Sequence, residues 1–138
     1  MVKVSAYIDP SRENFQAFKD LPRDTPIRML NLIRFRALAD YPAGHPDHGQ
    51  GLTGREAHAK YKAGIAPILQ RLGAAMVWQG PLECVVTGPP GEWDEAFVMG
   101  YPSSTAFMGL VKDPGYGAEV VAHRTAAVAD SRLIRFGA

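Results

Sequence analysis

The chain is 138 residues long, 46% hydrophobic and 21% charged, which suits one globular domain that buries a core without metal or disulfide staples. Its net charge of +1, spread without a basic block, weighs against nucleic acid as a partner, because phosphate binding needs concentrated Lys and Arg. The single cysteine, Cys84, excludes an internal disulfide and suits a reducing cytoplasm; no segment approaches the roughly 20 apolar residues of a membrane span, and the N-terminus has no signal-peptide pattern.

In chain order, Val2 to Ile8 reads as a short strand or an extended arm. DPSRENFQAFKDLP reads as a short helix capped by Asp9, with Pro10 in its first turn and Phe15 and Phe18 on one side. PIRMLNLIRF predicts a strand from about Ile27 to Phe35, with Ile27, Met29, Asn31 and Ile33 on one face and Arg28, Leu30, Leu32 and Arg34 on the other. The Gly- and Pro-rich stretch ADYPAGHPDHGQGLTG is a loop. Thr53 and Glu56 then form a capping box, opening a helix that runs to about Leu72, carries the stripe Ala57, Tyr61, Ile65, Ile68, Leu72, and stops at Gly73. Pro67 lies inside it and should kink it.

AAMVWQGPLECVVTG is extended, either one bent strand with a bulge or two short ones, because Gly80 and Pro81 interrupt it. EAFVMGYP is the next strand. Ser103 caps a helical turn, Asp113 and Pro114 start another helix, and RLIRF is the last strand. Strand, helix, strand, strand, helix, strand is the split βαβ, ferredoxin-like order, an α+β fold whose antiparallel sheet carries its long helices on one face. Residues 1–26 are the arm and short helix, and 27–136 the core. Leu30, Leu32, Val77, Val85, Val98 and Leu133 illustrate the apolar side chains at alternating strand positions. Hiding each is worth ~1.5–3 kcal/mol, so leaving half a dozen open costs on the order of 10 kcal/mol. A second copy packed sheet to sheet is the economical cover, and the N-terminal arm folded over that face is the competing one.

MLNLIRFR, the Tyr61 helix, MVWQG, WDEAFVMGYPS, DPGYG and HRTAAVADSRLI together resemble a bacterial domain-of-unknown-function family of small proteins in the dimeric α+β barrel superfamily. The resemblance covers about Ile27 to Ile134. It implies a ferredoxin-like protomer and a homodimer, but no activity. The wider superfamily includes cofactor-independent monooxygenases, haem-degrading enzymes and isomerases, and fold analogy of that kind only shifts a prior. Asn31, Trp78 or Trp93, and His123 match the haem-degrading members in residue type but not in spacing, so haem is not expected.

On an ideal helical wheel, Tyr116, Val120, His123 and Ala127 share a stripe, which points His123 at the sheet and leaves Arg124 on the flank. His123 then reads either as a core histidine bonded to a neighbour, with Arg124 in a salt bridge, or as a general acid–base or ligand anchor. Asn31 sits mid-strand among apolar residues, where a carboxamide needs a partner: a strand neighbour, His123 or a ligand. Tyr61, Trp78, Tyr101 and Tyr116 would line a cleft between helices and sheet, with His58 at its edge, or simply fill a core. His45, Asp47 and His48 are metal-competent but read as a solvated loop, so no metal and no cofactor are expected. Cys84 reads as a small core residue in a strand. The expectation is a homodimer binding a small organic molecule in that cleft. As an enzyme it would be a cofactor-independent oxygenase or isomerase using His123, Asn31 and Arg124; otherwise it is a non-catalytic binder or a filled structural dimer.

Overall fold

The computed structural model describes residues 6–138, so Val2 to Ser5 of the expected N-terminal strand lie outside the described residues. The elements are α1 (Arg12–Asp20), β1 (Ile27–Phe35), α2 (Gly54–Arg71), β2 (Ala75–Pro81), β3 (Glu95–Tyr101), α3 (Ser104–Lys112), a π-turn (Tyr116–Val120), α4 (Val121–Ala127) and β4 (Val128–Gly137). The strands form one antiparallel sheet in the order β2-β3-β1-β4, which is the ferredoxin-like topology.

Alternation along β1 decides which face meets the helices. Ile27, Met29 and Ile33 are buried, and Ile27 and Met29, with Met99 and Tyr101 of β3, pack under Tyr61, Ile65, Ile68 and Leu69 of α2 and under Val120. A second cluster joins Ile33 and Phe97 to Tyr41, Ala57 and the Ala126–Val128 corner. The helices approach closely because α2 carries Gly64: a Cβ there would lie 2.9 Å from Val120 Cγ2. The capping box is formed, with Glu56 N–H donating to Thr53 Oγ1 at 3.0 Å and Thr53 N–H to Glu56 Oε1 at 2.9 Å.

Several expectations are corrected. Ser11, not Asp9, caps α1, because Ser11 Oγ accepts from Asn14 N–H at 3.1 Å. β2 ends at Pro81, which has no N–H to extend the ladder; after one further bond, Leu82 N–H to Asp94 O at 2.9 Å, the chain leaves the sheet. Cys84 is therefore exposed in a loop rather than packed in a strand, and Val85 lies off the sheet. Residues directly opposite one another in an antiparallel pair share a face. Leu133 pairs with Asn31 and so belongs to the helix-covered face, while Ile134, paired with Leu30, takes its place on the open one. The open face carries Leu30, Leu32, Val98, Ile134 and Phe136. A bulge between Met76 and Trp78 turns Val77 and Trp78 onto it as well.

The Gly- and Pro-rich loop is mostly exposed but anchored to the rest of the fold. Arg36 N–H donates to Ala127 O at 2.8 Å, Asp40 N–H to Ala126 O at 2.9 Å and Ala39 N–H to Leu52 O at 2.8 Å, and the Tyr41 side chain is buried. These bonds tie the loop to the end of α4.

Candidate functional site

An inner cleft of about 270 Å³ opens between the helices and the covered face of the sheet. Asn31 of β1, Tyr61 of α2, Tyr101 of β3, Tyr116 of the π-turn and Arg124 of α4 supply its polar groups, and Met29, Phe97 and Met99 form part of its apolar wall. A wider groove of about 660 Å³ runs outside it between α1 and β4. Phe15, Met29, Arg124 and Leu133 line both, so Arg124 stands where groove and cleft meet.

The π-turn puts Arg124 there. Val121 N–H bonds to Tyr116 O, five residues back, which inserts one residue and rotates the rest of the helix by roughly 100°. The stripe read from an ideal wheel is broken. Tyr116, Val121 and Arg124 now share the cleft wall, and His123 moves to the flank. Arg124 reaches the mouth of the cleft, as expected, while His123, expected inside it, does not line it.

Arg124 is 15% exposed and only loosely neutralised: its Nη2 donates to Ser131 Oγ at 3.4 Å, and its Nη1 lies 3.7 Å from Oδ1 of the exposed Asp9. Burial pushes the Tyr61 hydroxyl well above its ordinary pKa, with Tyr116 adding to the shift, and burial likewise raises Tyr101. Both are neutral hydrogen-bonding hydroxyls at ordinary pH. Asn31 Nδ2 donates to Met29 O at 3.2 Å, a contact within its own strand.

Three expected site residues lie elsewhere. Trp78, 54% exposed, is on the open face, carried there by the β2 bulge. His58, only 2% exposed, is a core residue packed by Phe35, Tyr61 and Phe97. His123 faces the Tyr41 loop, where its Nδ1 lies 2.6 Å from Tyr41 Oη and 3.9 Å from Asp47 Oδ2. His45 stacks on Tyr41 at 4.6 Å, and Lys60 Nζ donates to Asp47 Oδ2 at 2.9 Å. Burial lowers the His123 pKa against the pull of Asp47, whose own pKa is lowered, chiefly by the Lys60 hydrogen bond. Tyr41 was missing from the sequence reading. Its signal was weak: one aromatic in a stretch otherwise typical of turns.

His58 makes a test of its own. Burial, helped by Lys62, lowers its pKa from 6.5 to about 4. The Glu95 carboxylate, 3.8 Å from Nδ1, would favour the charged form, but Lys62 already holds that carboxylate at 3.0 Å. A histidine neutral in the fold and protonated once unfolded gives stability that is full above pH 6.5 and lost as pH falls towards 4. Urea unfolding is expected to lose about 2 kcal/mol between about pH 7.5 and 5, with His123 adding in the same direction, and His58→Phe to flatten that slope. A wild-type slope of zero in this window would contradict a neutral buried His58.

No family model and no curated protein matches the chain. Among solved structures it is similar to RPA0582, a protein of unknown function from Rhodopseudomonas palustris. Identity is 44%, with TM-score 0.86, covering 97% of this chain and 98% of that one. The methylated form of RPA0582 gives 44%, 0.87, 98% and 96%. The chain belongs to the RPA0582 family. Two more distant structures agree on the fold alone. One is a dimeric protein of unknown function with a ferredoxin-like fold from Bacteroides fragilis, at 10% identity and TM-score 0.50, covering 82% of this chain and 96% of that one. The other is SnoaB, a cofactor-independent oxygenase from Streptomyces nogalater, at 14% and 0.50, covering 83% and 93%. The family is thus one of unknown function with a ferredoxin-like fold, as the motifs from MLNLIRFR to HRTAAVADSRLI imply. Among the described residues no helix is long and apolar enough to cross a membrane.

Proposed function

We propose that the chain works as a homodimer paired through its open sheet faces, each protomer binding a small, partly apolar organic acid in the inner cleft. Arg124 carries this reading. It is a mostly buried guanidinium with only a loose partner, at the mouth of an aromatic-walled cleft. An anion there gains charge-assisted hydrogen bonds where little water competes. Asn31, Tyr61, Tyr101 and Tyr116 supply further polar contacts. At about 270 Å³ the cleft is smaller than the ~300–1,000 Å³ typical of drug-sized ligands, which favours a single-ring compound. Pairing by sheet faces is supported by the apolar side chains left on that face and by the dimeric B. fragilis protein of the same fold.

Binding without turnover fits the cleft better than catalysis. A cofactor-independent oxygenase or isomerase needs a proton acceptor, and among the described lining residues the only carboxylate is the exposed Asp9 at the rim. Arg124 and Asn31 remain suited to holding an oxyanion, and His123 would act only from outside the cleft.

Calorimetric titration with benzoate, 4-hydroxybenzoate and the neutral benzamide tests this. The acids are expected to bind more tightly than the amide, and Arg124→Leu to weaken only the acids, by roughly tenfold to a hundredfold. Equal affinity for acid and amide, or acid binding that survives Arg124→Leu in a folded variant, would overturn the role given to Arg124.

A further inference from the structure

We propose that His45, Asp47 and His123 form a binding site for one divalent transition-metal ion, such as zinc, distinct from the cleft. One ligand-capable atom from each of the three lies within 4.8 Å of the other two. A tetrahedral ion with bonds of about 2.0–2.1 Å holds its donors roughly 3.3–3.4 Å apart, so closing the set takes side-chain shifts on the order of an ångström. All three side chains are half-buried and reachable from solvent.

The cluster is assembled by the fold rather than by sequence proximity. His45 and Asp47 come from the loop and His123 from α4. The bonds from Arg36 N–H to Ala127 O and from Asp40 N–H to Ala126 O fix loop against helix. Within the loop, His45 N–H donates to Pro42 O at 2.9 Å and His48 N–H to His45 O at 3.0 Å, so the turn that presents His45 and Asp47 is already formed.

The surrounding contacts orient the donors as outer-shell partners do in metal sites. His123 Nδ1 is the ring nitrogen that lies 3.9 Å from Asp47 Oδ2, and Tyr41 Oη, 2.6 Å from it, holds the ring in that orientation. Lys60 Nζ, 2.9 Å from Asp47 Oδ2, fixes the carboxylate beside it. Three contacts oppose binding, the first being the Tyr41 hydrogen bond that a metal on His123 Nδ1 would displace. The Lys60 ammonium competes for the same carboxylate, and Asp47 N–H donates to His45 Nδ1 at 3.0 Å, a bond lost if the metal takes that nitrogen. Two imidazoles and one carboxylate suit zinc, nickel, cobalt or copper rather than magnesium or calcium. Three protein ligands leave a coordination position open to water or a small ligand.

The test is titration of the untagged full chain, stripped with chelator, with zinc chloride by calorimetry and with cobalt(II) by visible absorption. One ion per chain is expected, with micromolar affinity. His123→Ala, His45→Ala and Asp47→Ala should each lower affinity at least about tenfold. His48 is not among the converging donors and its Nδ1 is bonded to Tyr41 O at 2.8 Å, so His48→Ala should leave binding unchanged. Lys60→Met should tighten it severalfold by removing the competing cation. No saturable binding by wild type up to about a hundred micromolar metal, or unchanged binding in His45→Ala and His123→Ala, would overturn the site. His45→Ala sits on the loop and serves as the test if His123→Ala fails to fold.

Discussion

Ile134→Glu is expected to convert the proposed dimer into monomers of 15.0 kDa. Ile134 lies on the edge strand β4, across from Leu30 of β1, and Leu30 faces Val98 of β3 on its other side, so the position adjoins the apolar centre of the open face. Leu32 and Phe136 lie near it on the same face, which extends through Val98 to Val77 and Trp78 on the far edge strand β2. A two-fold interface presents every substitution twice, so one change places two carboxylates in the same apolar contact. Each would cost several kcal/mol to bury unpaired, a sum on the order of the roughly 10 kcal/mol that covering the face offers. Val86→Glu is the control: Val86 is 94% exposed in the loop beyond β2 and should leave the dimer intact. Light scattering after gel filtration reads the result. A variant that still elutes as a dimer would place the contact elsewhere. Because the cleft lies on the opposite face, the monomeric variant should keep its acid binding, which separates assembly from ligand recognition.

Gly54→Ala is expected to be the most destabilising single methyl addition in the chain. Gly54 opens α2 where it crosses the end of β1 and the last turn of α4. An added Cβ would lie 2.8 Å from both Ala127 O and Arg36 N, and closer still to Arg36 O. These are backbone atoms of paired segments, so no side chain can swing aside. Overpacking of this kind costs about 3 kcal/mol, or roughly 10 °C in Tm for a chain of this size. Gly44→Ala, with nothing within 4 Å, should be near neutral. Thermal unfolding of the pair checks the contrast. Equal melting temperatures would mean that α2 does not dock against Arg36 and Ala127 as closely as described.

Where a residue's neighbours along the chain determine its place, the sequence was legible. The alternation through Ile27, Met29 and Ile33, the Thr53–Glu56 box, the Tyr61–Ile65–Ile68 stripe and the cap at Asp113 all follow from local periodicity and capping chemistry. Tyr61, Tyr101, Tyr116, Asn31 and Arg124 do meet around one cleft, as the faces of their elements imply. What failed depended on phase. One extra residue in β2 turned Trp78 to the other side of the sheet, and one extra residue in the π-turn moved His123 out of the cleft. Neither insertion leaves a hydrophobic-pattern signal, because both sides of β2 are apolar and the turn is short. Tyr41 and the His45–Asp47 turn were hidden for a different reason. Their packing comes from backbone bonds to residues 126 and 127, far along the chain, within a stretch whose composition reads as solvated.

Methyl NMR of the methionines in the wild-type chain tests the acid-binding cleft most directly. Met29 and Met99 line it, whereas Met76 and Met108 do not. Titration with small aromatic acids is predicted to shift the Met29 and Met99 resonances together and saturably, and to leave Met76 and Met108 in place. A panel of such acids that moves no cleft methionine, or that moves Met76 and Met108 as much as the other two, would contradict it.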